Sequence, residues 1–239
     1  MECPRKYYYA YGEGIFQKET RPMIFGSYIH SVLELYLKSL LKSRKDQDLE
    51  ALYSIARNKR KEYDMLDETG IDSFFEADVI LNKFASKKID PEKIYAIEKF
   101  FKLPLPEFTA VPIEGRIDRI DVEYGEKGQD LLHIIDYKTG KNEISESELK
   151  DDVQMKFYLL GAYFMYRKIY KRFRFTLTYL RNNSIVSFET ELDNSYSKEI
   201  AGYIKAVADD QEYKKQISKK CKFCPAFKVC KPRMKKEEE

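Results

Sequence analysis

Apolar residues at Ile29, Val32, Leu33, Tyr36, Leu37, Leu40 and Leu41 recur at three- and four-residue intervals, predicting an amphipathic helix from Ser27 to about Ser43. Ser27 is the expected N-cap. The stretch from Asp46 to Lys88 is charged and helix-favouring, with a break at Thr69-Gly70, and reads as two further helices forming a layer or lid. After Pro91 the texture changes to strands over Ile94–Leu103, Phe108–Tyr124 and Leu131–Tyr137, the last two joined by a turn at Gly125–Asp130. These three form an antiparallel meander. Ser145–Ile169 reads as one long helix with Leu149, Val153, Phe157, Leu160 and Phe164 on a single stripe. A hairpin then runs through Phe173–Leu180 and Ile185–Glu191, and a last helix through Asp193–Glu212. With no internal repeat or flexible linker, the economical architecture is one domain over residues 1–239, carrying a helical insertion at 44–90 and a tail at 214–239.

The 239 residues hold 43% hydrophobic and 35% charged side chains, the balance of a soluble globular protein. No apolar run reaches the roughly 18 residues a membrane helix needs, and the N-terminus lacks the apolar stretch of a signal peptide, so a cytoplasmic location is expected. Net charge is only +3, but its distribution is uneven. No acid falls between Val153 and Phe188, where Lys156, Arg167, Lys168, Lys171, Arg172, Arg174 and Arg181 do. From Lys214 to Lys236 there are ten Lys/Arg and again no acid. Such stretches are either solvated faces or the footprint of a polyanionic partner.

Two acids stand out against the strand pattern. Asp118 lies on the second strand, in Gly115-Arg116-Ile117-Asp118, and Asp136 ends the third. Antiparallel pairing can bring them together, and alternation puts Lys138 on the same side as Asp136. Two carboxylates and an amine on one strand face are costly to bury unless a cation sits between the acids. A hard divalent metal is the natural candidate, with Lys138 stabilising charge on a phosphate or orienting the attacking water. The alternative is an ordinary surface ion pair between Asp136 and Lys138. His133, inside an apolar strand, reads as a satisfied structural residue. The four cysteines, Cys3 and the group Cys221, Cys224 and Cys230, look like metal ligation and not a disulfide framework; ligand count alone suits zinc or an iron–sulfur cluster.

Gly115 to Asp118 followed by Asp136-Tyr137-Lys138 resembles the PD-(D/E)XK nuclease core, particularly its RecB-like branch. Gly26-Ser27-Tyr28-Ile29-His30 is similar to that branch's G-x-x-x-H element, and Gln154-Met155-Lys156-Phe157-Tyr158 to its Q-x-x-x-Y element. Cys3 with Cys221-x2-Cys224-x5-Cys230 resembles the iron–sulfur staple of AddB-type nuclease domains and of CRISPR-associated RecB-like exonucleases. The resemblance runs from Cys3 to Cys230. It implies an α/β restriction-endonuclease-like core, a mixed central sheet flanked by helices, with termini stapled by a [4Fe-4S] cluster on the four cysteines. It further implies Mg²⁺ or Mn²⁺ held by His30, Asp118, Asp136 and the Tyr137 carbonyl, with Asp118, Asp136 and Lys138 catalytic. Gln154 and Tyr158, one helical turn apart, would contact DNA or brace Lys138. Glu98 aligns with an acidic position on the first core strand and would tune the site or face solvent; Glu34, one turn beyond His30, would orient its ring or face solvent. The implied activity is a DNA exonuclease on single-stranded ends in repair, recombination or CRISPR-type defence, with a helicase or CRISPR or repair protein as partner. No Walker-type phosphate loop is present, so helicase activity would belong to another chain. A non-catalytic DNA-binding or assembly module within a helicase–nuclease complex is the competing reading.

Overall fold

The computed structural model describes residues 3–63, 73–104, 112–125, 130–191 and 194–231. The chain divides into two compact units, Arg21–Ile200 and the pair of ends Met1–Thr20 with Ala201–Glu239.

The larger unit is built on a five-stranded sheet in the order β1-β2-β3-β4-β5: Ile94–Leu103, Ile113–Glu123, Leu131–Lys138, Arg172–Tyr179 and Ser184–Glu191. The first three strands form the expected antiparallel meander, β3 and β4 run parallel, and β4 and β5 form the expected hairpin. The sheet is therefore mixed. A parallel β3–β4 pair needs a crossover between its strands, and two helices, α5 (Glu146–Asp151) and α6 (Val153–Tyr166), supply it. β2 and β3 are buried almost continuously over residues 119–122 and 134–137, because helices cover both faces of the sheet there.

One face packs against α2 (Arg21–Ser43), α3 (Leu49–Lys59) and α4 (Phe74–Ala85). Tyr28, Ile29, Val32, Leu33, Tyr36 and Leu37 of α2 meet Leu52 and Ala56 of α3, Ile80, Leu81 and Phe84 of α4, and Ile97, Ile135 and Tyr137 of the sheet. The segment expected as a layer or lid is thus a layer, sharing one hydrophobic core with α2. Its expected break at Thr69-Gly70 lies outside the described residues, as do Phe108–Val111 at the start of the second predicted strand. Ser27 is not the N-cap of α2, which begins six residues earlier at Arg21. Pro22 sits in its first turn, where a missing N–H costs nothing.

The other face carries α5 (Glu146–Asp151) and α6 (Val153–Tyr166), which replace the single long helix expected from the sequence. Ser145 and Glu148 close a capping box on α5. Asp152 then turns extended, with φ −68° and ψ 124°, and caps a fresh helix by accepting from the Met155 N–H. After the break the buried face of α6 is formed by Met155, Leu159 and Ala162 with the predicted Leu160, while Val153 is exposed. The final helix of the expected set, α7 (Asn194–Ala208), stops four residues short of Glu212.

Phe101 fixes how α6 meets the sheet. Its ring lies opposite Gly115 in the β1–β2 register, where a Cβ would come within 2.4 Å of it, and on its other side a Cβ at Gly161 would come within 2.8 Å. Two glycines from different elements make the slot for one buried ring. Gly161→Ala is expected to cost about 1–3 kcal/mol in a urea titration, because Phe101 has no solvent side to move into. A midpoint equal to that of the wild type would contradict this packing.

Candidate active site

The β1–β2 ladder brings Ile97 opposite Arg119 and Lys99 opposite Ile117, so Glu98 stands level with Asp118. The β2–β3 ladder ends with Arg119 opposite Ile135, one step before Asp118 meets Asp136. Three carboxylates from three neighbouring strands therefore occupy one level of the sheet. Like charges so placed repel. Asp118 Oδ2 accepts the Tyr137 N–H at 2.8 Å. Glu98 adopts φ +51°, the left-handed region that costs a side chain-bearing residue about 1–2 kcal/mol.

His30 reaches this level from α2. Its Nε2 is 2.9 Å from the Tyr137 carbonyl oxygen, and its Nδ1 is 3.5 Å from Asp118 Oδ2. Gly26, one turn earlier, lets the helix approach: a Cβ there would lie 3.2 Å from Thr139 Oγ1. His30, Glu98 and Asp118 each offer a ligand atom, all within 4.8 Å of one another. Asp136 is turned instead toward Lys138, with Oδ2 2.8 Å from Nζ. That contact is an ion pair outside hydrogen-bonding geometry, so the buried Oδ2 has no hydrogen-bond partner. At 4% exposure Asp136 is no surface residue, which disposes of the ordinary surface ion pair as an explanation.

Lys138 is held at a second point. Its Nζ donates to Gln154 Oε1 at 2.9 Å, and Gln154 Nε2 donates to the Tyr158 hydroxyl at 3.1 Å. Tyr137 points to the opposite face by strand alternation, where its hydroxyl accepts from Arg119, itself paired with Asp121 at 2.5 and 2.6 Å.

The electrostatics follow from burial beside like charge. Burial, with Asp118 adding to it against Lys138, lifts Asp136 to about 6. Burial, reinforced by Asp118 and Glu34, lifts Glu98 to about 7. Burial pulls His30 down, but the Asp118 hydrogen bond and charge, the Asp136 charge and the Tyr137 carbonyl outweigh it, leaving His30 above its ordinary value. Burial and the Asp136 charge push Tyr158 to about 12, so its hydroxyl stays neutral.

A family model of the PD-(D/E)XK nuclease superfamily matches residues 1–231. The chain belongs to the PD-(D/E)XK nuclease superfamily. Among solved structures, a Eubacterium rectale protein whose crystal structure carries a provisional exonuclease description is 12% identical. Its TM-score is 0.52, over 100% of this chain and 85% of that one, a likeness of fold. A second structure, SSO0001, is 14% identical over 97% of this chain and 96% of that one; its TM-score of 0.33 carries no weight. No curated protein matches the sequence.

Nucleases of this superfamily use divalent metals, and the residues fit one. A ring nitrogen, carboxylate oxygens and a main-chain carbonyl suit Mg²⁺ or Mn²⁺, and the buried Asp136 Oδ2, paired with Lys138 but without a well-formed hydrogen bond, is an atom that a cation would satisfy. Sequence reasoning gave Glu98 only a tuning role. It stands directly in the converging trio, placed there by strand register that a single sequence does not display. Glu34 pairs with Lys38 at 2.5 Å and leaves the His30 ring to Asp118. His133 is satisfied as expected, Nε2 lying 2.7 Å from Thr176 Oγ1. Among the described residues no helix is long and apolar enough to cross a membrane.

Asp136, Glu98 and His30 all bind a proton more tightly folded than unfolded. The stability those protons contribute is complete below the unfolded carboxylate values of 3.8 and 4.5, and is lost as pH rises through about 6 to 7. In EDTA the melting temperature should therefore fall between about pH 5 and pH 8. Mn²⁺ should restore it at the upper end by favouring the ionised forms. A flat profile in EDTA, or one unchanged by Asp136→Asn, would refute this assignment of the titrating groups.

Proposed function

We propose that this chain is a divalent-metal-dependent deoxyribonuclease of the RecB-like branch, acting on single-stranded DNA ends as an exonuclease. The observation that carries the reading is the level of three carboxylates, Glu98, Asp118 and Asp136, flanked by His30 and by a doubly tethered Lys138. The provisional exonuclease description of the Eubacterium rectale relative supports exonuclease over endonuclease.

When bound, Mg²⁺ or Mn²⁺ supplies Lewis acidity toward a phosphate oxygen and acidifies a water molecule. His30, Glu98, Asp118 and Asp136, with the Tyr137 carbonyl, are the residues that would hold it. Asp118 keeps the end of β3 in place through the Tyr137 N–H while offering its other oxygen. His30 can ligate only through a nitrogen that has lost its proton, so metal binding releases protons. Lys138 brings an ammonium to the phosphate and neutralises negative charge that accumulates there. Gln154 and Tyr158 restrict that ammonium to one position, which matters because a lysine chain is otherwise flexible.

The same reading extends to the cysteines, as ligands of one structural [4Fe-4S] cluster. Cys3, Cys221, Cys224 and Cys230 belong to one compact unit and are free thiols, each partly buried. Main-chain N–H groups of Gln216 and Ser218 approach Cys3 Sγ and Cys221 Sγ at 3.4 Å, the kind of contact that stabilises cluster thiolates. Partners in a repair, recombination or CRISPR pathway, a helicase among them, fit a chain that lacks a nucleotide-binding motif of its own.

End-labelled single-stranded, duplex and circular DNA, incubated with Mg²⁺, Mn²⁺ or EDTA, tests the activity. Linear single strands should be degraded with either metal, at least as well with Mn²⁺, and circles should survive. Asp118→Ala, Asp136→Ala and Lys138→Ala should each lower the rate by about a hundredfold or more while DNA binding persists. Cleavage by Lys138→Ala at the wild-type rate would defeat the proposal, and binding without metal-dependent products would favour the assembly-module reading. Anaerobically purified protein should be brown and contain iron and sulfide, and replacing any one cysteine by Ser should bleach it. Stoichiometric zinc without iron would overturn the cluster alone.

A further inference from the structure

We propose that the unit formed by the two ends of the chain carries a stacking platform for single-stranded nucleic acid, made by Tyr7, Tyr11 and Phe16. The inference deepens the proposed DNA-directed function, on which it rests, by assigning it a binding surface.

Helix α1 (Pro4–Tyr11) has an anchored side and an open side. On the anchored side the Tyr8 ring lies 5.1 Å from the Tyr213 ring, the Arg5 guanidinium sits 5.7 Å from the Tyr8 centroid, and Arg5 donates to the Glu212 carbonyl. On the open side Tyr7 and Tyr11, one turn apart, bring their rings to 4.7 Å at an interplanar angle of 39°. Phe16 meets Tyr11 edge-on at 5.9 Å. A tight reversal puts it there: Gly12 and Glu13 both donate to the Tyr8 carbonyl, Gly14 takes φ +69°, and Ile15 donates to the Tyr9 carbonyl. The three rings remain 37%, 72% and 60% exposed. Single exposed aromatics are common, but here Tyr11 joins Tyr7 on one side to Phe16 on the other, making a contiguous aromatic patch held by a shaped turn.

Charge complementarity selects the occupant. The other segment of this unit supplies Lys214 to Lys231, with seven basic residues and no acid, and within it exposed Phe223 and Phe227 alternate with Lys222 and Lys228. Two acids of this unit have partners: Glu13 accepts from the Tyr8 hydroxyl at 2.6 Å, and Glu212 pairs with Lys214 at 2.7 Å. Exposed rings interleaved with lysines are what an unpaired strand needs, since its bases offer π faces and its backbone offers phosphates. A duplex hides its base faces, so the platform selects single strands.

The test is fluorescence anisotropy of a labelled oligo-dT and of a matched duplex with full-length protein in EDTA, which removes catalysis from the readout. Tyr11→Ala and Phe16→Ala should each weaken oligo-dT binding by at least about fivefold, leave duplex binding unchanged and keep the wild-type melting temperature. Tyr11→Trp should retain the affinity. Lys222→Glu with Lys228→Glu should flatten the salt dependence of binding. In metal-supplemented assays the alanine variants should raise KM with kcat preserved. Oligo-dT affinity unaffected by both alanine variants would overturn the proposal. So would equal losses for single strand and duplex. Intact DNA affinity with altered self-association would assign the rings to a protein contact instead. An inactive protein that still loses oligo-dT affinity in Tyr11→Ala would refute the nuclease reading and leave the platform standing.

Discussion

Everything around the site answers to one constraint: three carboxylates from adjacent strands share a level of the sheet just where the β2–β3 ladder ends. Mutual repulsion and burial raise the cost of ionising them, and the surroundings reduce that cost only in part. The Tyr137 N–H satisfies Asp118, Lys138 approaches Asp136, and His30 bridges Asp118 to the Tyr137 carbonyl. What is left is a buried Asp136 oxygen paired only with Lys138, a Glu98 in the left-handed region and acids lifted toward neutrality. A divalent cation held at this level would lower the cost of ionising these acids.

Both faces of the sheet serve that level. The core shared by α2, α3 and α4 fixes the pitch of α2, and with it the reach of His30. On the opposite face the Phe101 slot seats α6, and the helix restarted at Asp152 presents Gln154 and Tyr158 to Lys138. Had the predicted single helix run unbroken from Ser145, Gln154 would project in a different direction. The capping carboxylate of Asp152 is thus a local feature whose effect is felt at Lys138.

At the β4–β5 turn, Arg181 donates to the Thr139 carbonyl at 2.5 Å, lies 4.6 Å from the Phe25 ring centroid and pairs with Glu76 of α4. Leu180 donates to the Lys138 carbonyl at 2.9 Å. The end of β3, which bears Asp136 and Lys138, is therefore clamped between the hairpin and the helical layer. A precise site at a sheet end, where ladder hydrogen bonds run out, requires such bracing.

The sequence by itself determined the elements with strong periodicity and the residues whose chemistry stands out against that periodicity. The α2 stripe, the meander and the hairpin follow from apolar spacing, because burial of one face leaves little freedom in register. Asp118, Asp136, Lys138 and His30 were legible as polar groups placed at strand ends or on an apolar helix, and the resemblance to a nuclease core ordered them. Only the tertiary structure decided the rest. Asp152 could equally extend a helix or cap a new one, and packing against the sheet selects the cap. Glu98 reads as an ordinary strand acid until the β1–β2 register sets it beside Asp118, and register is a relation between strands that local spacing does not encode. The glycines of the motifs likewise acquire meaning only from what approaches them: Phe101 at Gly115 and Gly161, and Thr139 at Gly26. Local patterns fix which groups are present; long-range packing fixes which of them meet.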